Sequence, residues 1–255
     1  MNRELSLLDM HCHPVFSPDF AGFAADAAQV GLGLFANTVN GEEWSRAHAL
    51  EPQFSNVRMG RGLHPWWIED ESAAVADVDA FVEQAGEWTA VGEVGLDYSK
   101  RHCAHAELQL SCFKRIVETA STYAGTVMSI HAVHAASDVL DVLEKAKFTD
   151  AGVPIFHWFS GSTDELVRAR QLGCYFSVNP KMLETRRGRA YIRQIPVRQM
   201  LLETDLPAYE GDPITAGEIA DTLQKLVVNI AALRGVDAGE LGETLASTSR
   251  SILNL

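Results

Sequence analysis

Residues 7–13 have the sequence LLDMHCH, an apolar run that is typical of a β-strand and that ends in two histidines. Four later runs also place metal-binding residue types at or near a strand end: VGEVGLD (91–97), VMSIHA (127–132), IFHWFSG (155–161) and LLETD (201–205). Parallel strand ends that face one direction can converge on one point. The six residues concerned are His11, His13, Glu93, His131, His157 and Asp205. Four imidazoles and two carboxylates indicate a site for divalent metal ions.

Strand-like and helix-like segments alternate along the chain. We predict eight strands, near residues 5–13, 31–39, 57–64, 88–97, 126–132, 153–159, 173–179 and 199–205. Amphipathic segments lie between them, and those that begin at Ser162 and Thr215 open with a capping-box pattern. Apolar strands with helical crossovers predict a parallel (β/α)8 TIM-type barrel, with an additional C-terminal helix near 238–252. An open doubly wound sheet is the alternative, but polar residues after so many strands favour the barrel.

Length and composition favour one domain spanning residues 1–255, because a chain of this size fits one α/β barrel and contains no Pro/Gly/Ser-rich linker. No stretch approaches the roughly 20 apolar residues of a membrane span, and the N-terminal sequence lacks the apolar segment of a signal peptide. The four cysteines are scattered, as expected of reduced thiols. We therefore expect a cytoplasmic protein without membrane association. Its net charge of −13 argues against a general polyanion binder.

Strand geometry supports the metal-site interpretation. His11 and His13 are two residues apart, so on a strand both imidazoles point to one face while Cys12 points to the other. Glu93 carries two carboxylate oxygens and could bridge two cations. Each residue has a structural alternative when taken alone: a satisfied core histidine for His131 or His157, or an ion-paired glutamate. Their joint placement at strand ends favours a metal centre.

The ordered motifs resemble those of the TatD-family metal-dependent deoxyribonucleases, within the larger amidohydrolase-like group. They are DMHCH (9–13), GLHP (62–65), VGEVGLDY (91–98), the spacing of Gln109 and Phe113, FHWFSGS (156–162) and LLETDLP (201–207). The resemblance implies a TIM-type barrel with two ions. His11, His13 and Asp205 would serve one ion and His131 and His157 the other, with Glu93 bridging. It also implies DNA phosphodiester hydrolysis, with His64 contacting substrate or a metal-bound ligand.

Two departures from the family pattern affect the substrate prediction. The family usually continues the fifth-strand motif as His-x-Arg-x-Ala, whereas this chain has Val133 at the arginine position. A phosphate group would lose a bidentate guanidinium partner there. Near the C-terminus Arg250 is retained, but the asparagine of the family's Asn-x-x-Arg-like ending is not. Neither change touches a predicted metal ligand.

A basic segment at residues 181–198 provides a candidate substrate-binding surface. It contains Lys181, Arg186, Arg187, Arg189, Arg193 and Arg198, against Glu184 alone. This segment could bind a nucleic-acid backbone, and the alternative is a solvated basic helix. Bases could stack on Trp66, Trp67 or Trp158, with hydrophobic packing as the alternative. His102 and His105 are expected to be surface residues.

The sequence therefore predicts a metal-dependent phosphodiesterase of the deoxyribonuclease type, with water activated by two divalent ions (Mg²⁺, Mn²⁺, Fe²⁺ or Zn²⁺). Asp205 and Glu93 are the predicted catalytic residues, and His64, Lys181, Arg186 and Arg187 the predicted substrate contacts. One alternative is a hydrolase of C–N or other ester bonds. The other is a nuclease-family subunit with specialised or lost activity that acts through a protein partner. We expect DNA as the substrate and a monomer as the oligomeric state.

Overall fold

The computed structural model describes residues 5–255. In that range the strands are β1 (Leu7–Cys12), β2 (Leu32–Asn37), β3 (Val57–Leu63), β4 (Ala90–Asp97), β5 (Val127–Val133), β6 (Val153–His157), β7 (Tyr175–Val178) and β8 (Met200–Leu202). The α-helices are α1 (Phe20–Val30), α2 (Gly41–Ala47), α3 (Glu71–Glu83), α4 (Ala106–Ala120), α5 (Ala136–Lys145), α6 (Thr163–Leu172), α7 (Arg186–Gln194), α8 (Ala216–Arg234) and α9 (Ala238–Leu253). None of these helices combines the length and the apolar composition that a bilayer crossing requires.

The sheet follows chain order from β1 to β8, and the paired strands run parallel. Helices alternate with strands, and α9 follows the last strand–helix pair as an extra element. The predicted (β/α)8 TIM-type barrel with an additional C-terminal helix is confirmed. Each of the eight predicted strands overlaps an observed one. The chain divides into two compact units, which are described separately below. That the whole chain is one domain stays a prediction.

The terminal unit comprises the described residues up to Ala36, Ala47–Arg58 and Phe176–Leu255. Its sheet pairs β1 with β2 and β7 with β8. Helix α1 begins at the cap residue Asp19, whose carboxylate accepts a hydrogen bond from Gly22 N at 2.8 Å. It ends at Gly31 in the left-handed conformation (φ 73°), which favours glycine. The next strand therefore starts immediately after a sharp turn.

The central unit comprises Asn37–Arg46 and Met59–Tyr175. It contains most of β3 and all of β4, β5 and β6, which pair in that order. Ile130 and Phe156 are fully buried partners across β5 and β6. The predicted capping box of α6 is present: Ser162 and Glu165 each accept a hydrogen bond from the other's backbone N–H. Buried strands and capped helices hold the strand ends in fixed positions.

β8 and β6 are among the strands that end earlier than predicted. β8 stops at Leu202 rather than 205, because Thr204 N donates to the Asp9 carboxylate and Asp205 turns into the left-handed conformation (φ 61°). β6 stops at His157 rather than 159, where Trp158 also has a positive φ of 40°. Both breaks immediately adjoin predicted metal ligands. At both positions the backbone leaves the strand conformation, and this change sets the direction of the adjoining side chains.

Candidate metal-binding groups

In the terminal unit His11 and His13 come together with Asp205. The two histidine Nε2 atoms are 3.2 Å apart. Asp205 Oδ1 lies 3.6 Å from His11 Nε2 and 3.3 Å from His13 Nε2. Atoms that share one ion at about 2.1 Å lie roughly 3–3.5 Å from one another. This trio, which we call the terminal group, therefore has spacings suited to one cation.

Backbone hydrogen bonds fix the carboxylate of the terminal group. Asp205 N donates to His11 O at 2.9 Å, and His13 N donates to Leu206 O at 2.9 Å. The chain segment after β8 is thereby tied to the end of β1. The Asp205 side chain remains 28% exposed, whereas the two histidines are buried. Asp205 can therefore reach solvent while it stays aligned with the imidazoles.

A buried carboxyl group, Asp9, supports the terminal group from within β1. It accepts hydrogen bonds from His11 N at 3.2 Å, from Thr204 N at 3.0 Å and from the Thr204 hydroxyl. Burial raises the pKa of Asp9 to about 8, although these hydrogen bonds lower it. Asp9 thus joins the backbone of His11 to the residue that precedes Asp205. Its hydrogen bonds are with the backbone N–H of His11 and with the backbone N–H and hydroxyl of Thr204.

In the central unit one carboxylate oxygen meets three imidazoles. Glu93 Oε1 lies 3.0 Å from His64 Nε2, from His131 Nδ1 and from His157 Nε2. All four residues are buried. This quartet, which we call the central group, joins three predicted metal ligands to His64, the predicted substrate contact. Its geometry makes His64 a candidate ligand as well.

Strand register explains how Glu93 and His131 meet. β4 and β5 pair in parallel with Gly95 opposite His131. Gly95 has φ 142°, and a Cβ atom there would lie 2.0 Å from His131 O. Only glycine allows this close approach of the two strands. This glycine therefore lies directly opposite a ligand-type histidine.

Asp97, which the sequence analysis did not single out, contacts the central group. Its Oδ2 lies 3.3 Å from His131 Nε2, the ring nitrogen that faces away from Glu93. Burial opposes ionisation of Asp97, but hydrogen bonds with His131, Ser99 and Trp66 outweigh it and hold the pKa of Asp97 below its usual range. Burial also disfavours the His131 imidazolium, but contacts with Asp97 and Glu93 raise the pKa of His131. An imidazole held by a carboxylate through one nitrogen presents the other to a metal.

The expectation that His102 is a surface residue is wrong. His102 is only 8% exposed, because its ring stacks on Trp66 with centroids 5.1 Å apart and an interplanar angle of 11°. His105 is partly exposed and makes no side-chain cap hydrogen bond at the start of α4. The sequence could not separate these two histidines, since the stacking partner lies far from both along the chain.

The basic segment lies in the terminal unit, on α7 and the turns around it. Lys181, Arg186 and Arg187 are exposed, whereas Arg189 donates to Leu183 O at 2.6 Å. Asn179 connects the start of the segment to the terminal group: its Nδ2 donates to Thr204 O at 3.2 Å and its Oδ1 accepts from Lys181 N at 3.0 Å.

The donor chemistry of both groups fits divalent metal ions. Each offers imidazole nitrogens and a carboxylate, a combination that suits Zn²⁺, Mn²⁺ or Fe²⁺. The thiol of Cys12, between the two histidines, points elsewhere and contacts Phe35 O at 3.4 Å. The candidate ligand atoms of the two groups are therefore imidazole nitrogens and carboxylate oxygens, and the Cys12 sulfur is not one of them. Whether all six predicted ligands converge on one point stays a prediction.

Comparison with known proteins shows the family. The family model of TatD related DNase matches residues 8–254. Deoxyribonuclease Tat-D of Schizosaccharomyces pombe is 35% identical over 133 residues, which are 52% of this chain and 42% of that protein. An uncharacterized metal-dependent hydrolase of Escherichia coli, YjjV, is 26% identical and is matched over 97% of this chain and 98% of its own length. The 3'-5' ssDNA/RNA exonuclease TatD of Erwinia tasmaniensis is 27% identical over 90% of this chain and 91% of its own length.

Solved structures share the fold. The crystal structure of E. coli YjjV superposes with a TM-score of 0.72 and 24% identity, covering 98% of this chain and 99% of that one. A hydrolase of the TatD family from Entamoeba histolytica gives a TM-score of 0.77 at 14% identity, with 98% of each chain covered. The family match over nearly the whole chain, the arrangement of ligand-type side chains and the shared fold agree. The chain therefore belongs to the TatD-related DNase family of hydrolases.

Proposed function

We propose that this protein is a metal-dependent nuclease that hydrolyses phosphodiester bonds of single-stranded DNA. The observation that carries the proposal is the pair of ligand groups, in which three imidazoles surround the buried Glu93 Oε1 at 3.0 Å and two imidazoles lie beside the partly exposed Asp205. Support for the substrate comes from relatives named as a deoxyribonuclease and as a 3'-5' ssDNA/RNA exonuclease. By that likeness we propose removal of nucleotides from the 3' end.

We assign the ligand roles as follows. His11, His13 and Asp205 would hold one ion, and His131 and His157 would hold a second, with Glu93 as the proposed shared ligand. His64 would complete the ligands of the second ion or orient the phosphate, because its Nε2 faces Glu93 Oε1 at 3.0 Å. The ions, proposed to be Mg²⁺, Mn²⁺ or Zn²⁺, would lower the pKa of water and polarise a phosphoryl oxygen.

Proton transfer is assigned to Asp205. It is the carboxylate that combines a ligand position with partial exposure, so it can accept the proton of the attacking water and release it to solvent. Its backbone bond to His11 O keeps the carboxylate beside the imidazoles while the proton moves. Glu93 is enclosed by three histidines and is better suited to a fixed ligand role.

The basic segment is proposed to hold the substrate backbone. Lys181, Arg186 and Arg187 are exposed and can release counterions on binding phosphates. Arg187 is held in place, since its Nε donates to the Tyr191 hydroxyl at 2.7 Å and its guanidinium lies 5.7 Å from that ring. A preorganised cation loses less side-chain entropy on binding. The segment would partly replace the guanidinium that Val133 cannot supply.

The test is cleavage of end-labelled substrates by the purified protein. Single-stranded DNA, double-stranded DNA and RNA would be incubated with Mg²⁺, Mn²⁺ or Zn²⁺, with and without EDTA, beside a panel of amides and lactones. We expect a ladder that shortens from the 3' end of single-stranded DNA and that EDTA abolishes. Cleavage of the amide or lactone panel alone would support the C–N or ester hydrolase. Absence of turnover on every substrate would support the subunit with lost activity.

A matched control guards against a contaminating nuclease. The variant Glu93→Gln, purified in the same way, should lose the activity, whereas His105→Ala should keep it. His105 is a partly exposed histidine without a cap hydrogen bond, so its loss should disturb neither the fold nor the ligand groups. Equal activity in Glu93→Gln and wild type would assign the cleavage to another protein.

A further inference from the structure

Trp66 combines high exposure with fixed geometry. It is 45% exposed, yet its indole Nε1 donates to Asp97 Oδ2 at 2.6 Å. One ring face stacks on His102, and the ring also meets His64 edge-on with centroids 4.9 Å apart. An indole held by a hydrogen bond and a stack has few rotamers left. It can therefore offer its solvent-facing ring surface to a ligand at low entropic cost.

The support beneath Trp66 is itself anchored to β4. His102 O accepts a hydrogen bond from Gln109 Nε2 at 3.1 Å, and Gln109 Oε1 accepts one from Asp97 N at 2.8 Å. The His102 ring is buried, and its Nε2 makes no hydrogen bond within residues 5–255. A buried imidazole nitrogen without a partner is unfavourable. This arrangement keeps the ring flat against Trp66 at the expense of its own hydrogen bonding.

Asp97 links this stack to the central group. The same oxygen, Oδ2, accepts from Trp66 Nε1 and lies 3.3 Å from His131 Nε2. His131 in turn presents Nδ1 to Glu93 at 3.0 Å. A movement of Trp66 would therefore shift the position of the Asp97 carboxylate, which contacts the proposed metal ligand His131. Aromatic side chains in single-strand nucleic-acid sites stack on the bases, and such stacking tolerates any base because every base has a flat π face.

We propose that Trp66, backed by His102, stacks on a base of the substrate strand, and that its hydrogen bond to Asp97 makes it a positioning residue for His131. The assignment rests on the proposed nuclease function. It deepens that function by naming the part of the nucleotide that is recognised, since stacking requires a base and not only a phosphodiester. The same contact would connect substrate binding to the orientation of a metal ligand.

Two substitutions separate the two roles. Trp66→Leu removes the aromatic ring, and Trp66→Phe keeps a ring but removes the N–H donor. Substrates are a short DNA strand and the same strand with abasic nucleotides at its 3' end. We expect wild type to show a KM about tenfold lower for the base-bearing strand, and Trp66→Leu to lose this difference. Trp66→Phe should keep the difference but show a lower kcat and weaker metal retention, on the order of tenfold.

Tyr123→Leu is the matched control, because Tyr123 is another exposed aromatic residue of the central unit and lies against Trp88, outside the ligand groups. It should keep the wild-type KM difference, kcat and metal content. A second readout that needs no turnover is quenching of indole fluorescence by a phosphorothioate DNA strand. We expect wild type to be quenched more by the base-bearing strand than by the abasic one, and Trp66→Phe to lose most of the quenching.

The outcomes distinguish this proposal from the proposed function. Cleavage by wild type with equal KM for both strands, and equal quenching by them, would overturn base stacking while leaving the nuclease intact. Unchanged kcat and metal content in Trp66→Phe would overturn the positioning role. Base-dependent quenching without cleavage of any strand would support stacking and contradict the nuclease. Neither cleavage nor quenching would overturn both.

Discussion

The terminal and central groups differ in how their carboxylates are enclosed. Asp205 of the terminal group follows a strand break and is partly exposed, with two imidazoles on one side. Glu93 of the central group lies within β4 and is buried among three imidazoles. A carboxylate that reaches solvent can exchange protons with water, whereas one that is enclosed by imidazoles is better suited to the proposed role of a fixed ligand. The two groups therefore suit different chemical roles, although both use histidine and carboxylate.

The groups also differ in what supports them. Asp97 contacts Nε2 of His131, a proposed metal ligand, and Nδ1 of the same ring faces the Glu93 carboxylate. Asp9 contacts the backbone of His11 and of Thr204, and thereby holds two chain segments together. The first contact would set the orientation and polarity of one proposed ligand, His131. The second contact fixes the backbone segments that carry the proposed ligands His11 and Asp205. Substitutions can tell these contributions apart.

The largest effect is expected for Glu93→Gln. The amide keeps the side-chain volume but loses the negative charge that three imidazoles face, so kcat should fall by roughly 10³-fold or more. Glu87→Gln, an exposed glutamate of the same unit, is the control and should change nothing. Circular dichroism checks that the fold persists. If Glu93→Gln keeps even a tenth of the activity, the enclosed carboxylate is not a ligand for the catalytic ions.

Next in size is the effect of breaking one group at a time. His11→Ala disables the terminal group and His131→Ala the central group, and each should lower activity by about 100-fold. Elemental analysis should find about two ions per wild-type chain and about one in each variant, if each group holds one ion. Loss of all metal in either variant would show that the groups bind metal only together. Unchanged metal content would exclude the substituted histidine as a ligand.

The supporting carboxylates should give a smaller and unequal effect. Asp97→Asn weakens the polarisation of His131, and metal affinity should fall about 10- to 100-fold. Asp9→Asn retains an oxygen that can accept from His11 N, so metal affinity should change less than threefold. Competition with a fluorescent chelator measures both. Equal losses in the two variants would contradict the distinction between tuning a ligand and building its surroundings.

The basic segment adjoins the terminal group through Asn179 and Thr204, and its effect should be electrostatic. The double variant Arg186→Ala/Arg187→Ala should weaken binding of single-stranded DNA about tenfold. The slope of log affinity against log salt should fall by about 0.7 for each lost phosphate contact. Lys145→Ala/Lys225→Ala, which removes two exposed lysines, is the charge-matched control. An unchanged slope in the arginine variant would identify the segment as a solvated helix.

The sequence indicated much of this arrangement because strand ends are local features. The apolar runs, the two-residue spacing of His11 and His13, and the capping box at Ser162 can all be identified without knowing the fold. Asp97 could not be recognised as a partner of His131, because their contact depends on the register of β4 against β5. His102 was misjudged for the same reason: its burial depends on Trp66, which follows a different strand. Relations between strands require the tertiary structure.

The smallest effects concern the two capping boxes, one in each unit. Ser162→Ala in the central unit and Thr215→Ala in the terminal unit should each lower the free energy of unfolding by about 1 kcal/mol.

Burial opposes ionisation of Glu165, but hydrogen bonds from Ser137 and Ser162 outweigh it and lower its pKa. Its charged form therefore stabilises the fold above the unfolded pKa of about 4.3, and this contribution is lost as pH falls through the lower folded pKa. The difference in stability between wild type and Glu165→Gln should accordingly narrow in acid.

These cap variants also test whether the chain is one domain. If the two units unfold together, a cap lesion in either one lowers the midpoint of a single shared transition, and the two lesions give shifts of similar size. If the units are independent, each lesion moves only the transition of its own unit. Urea unfolding followed by circular dichroism and by indole fluorescence provides the measurement, because all five tryptophans lie in the central unit: Trp44, Trp66, Trp67, Trp88 and Trp158. Coincident transitions in both cap variants would support one domain, since the fluorescence of the central unit would then respond to a lesion in the terminal one.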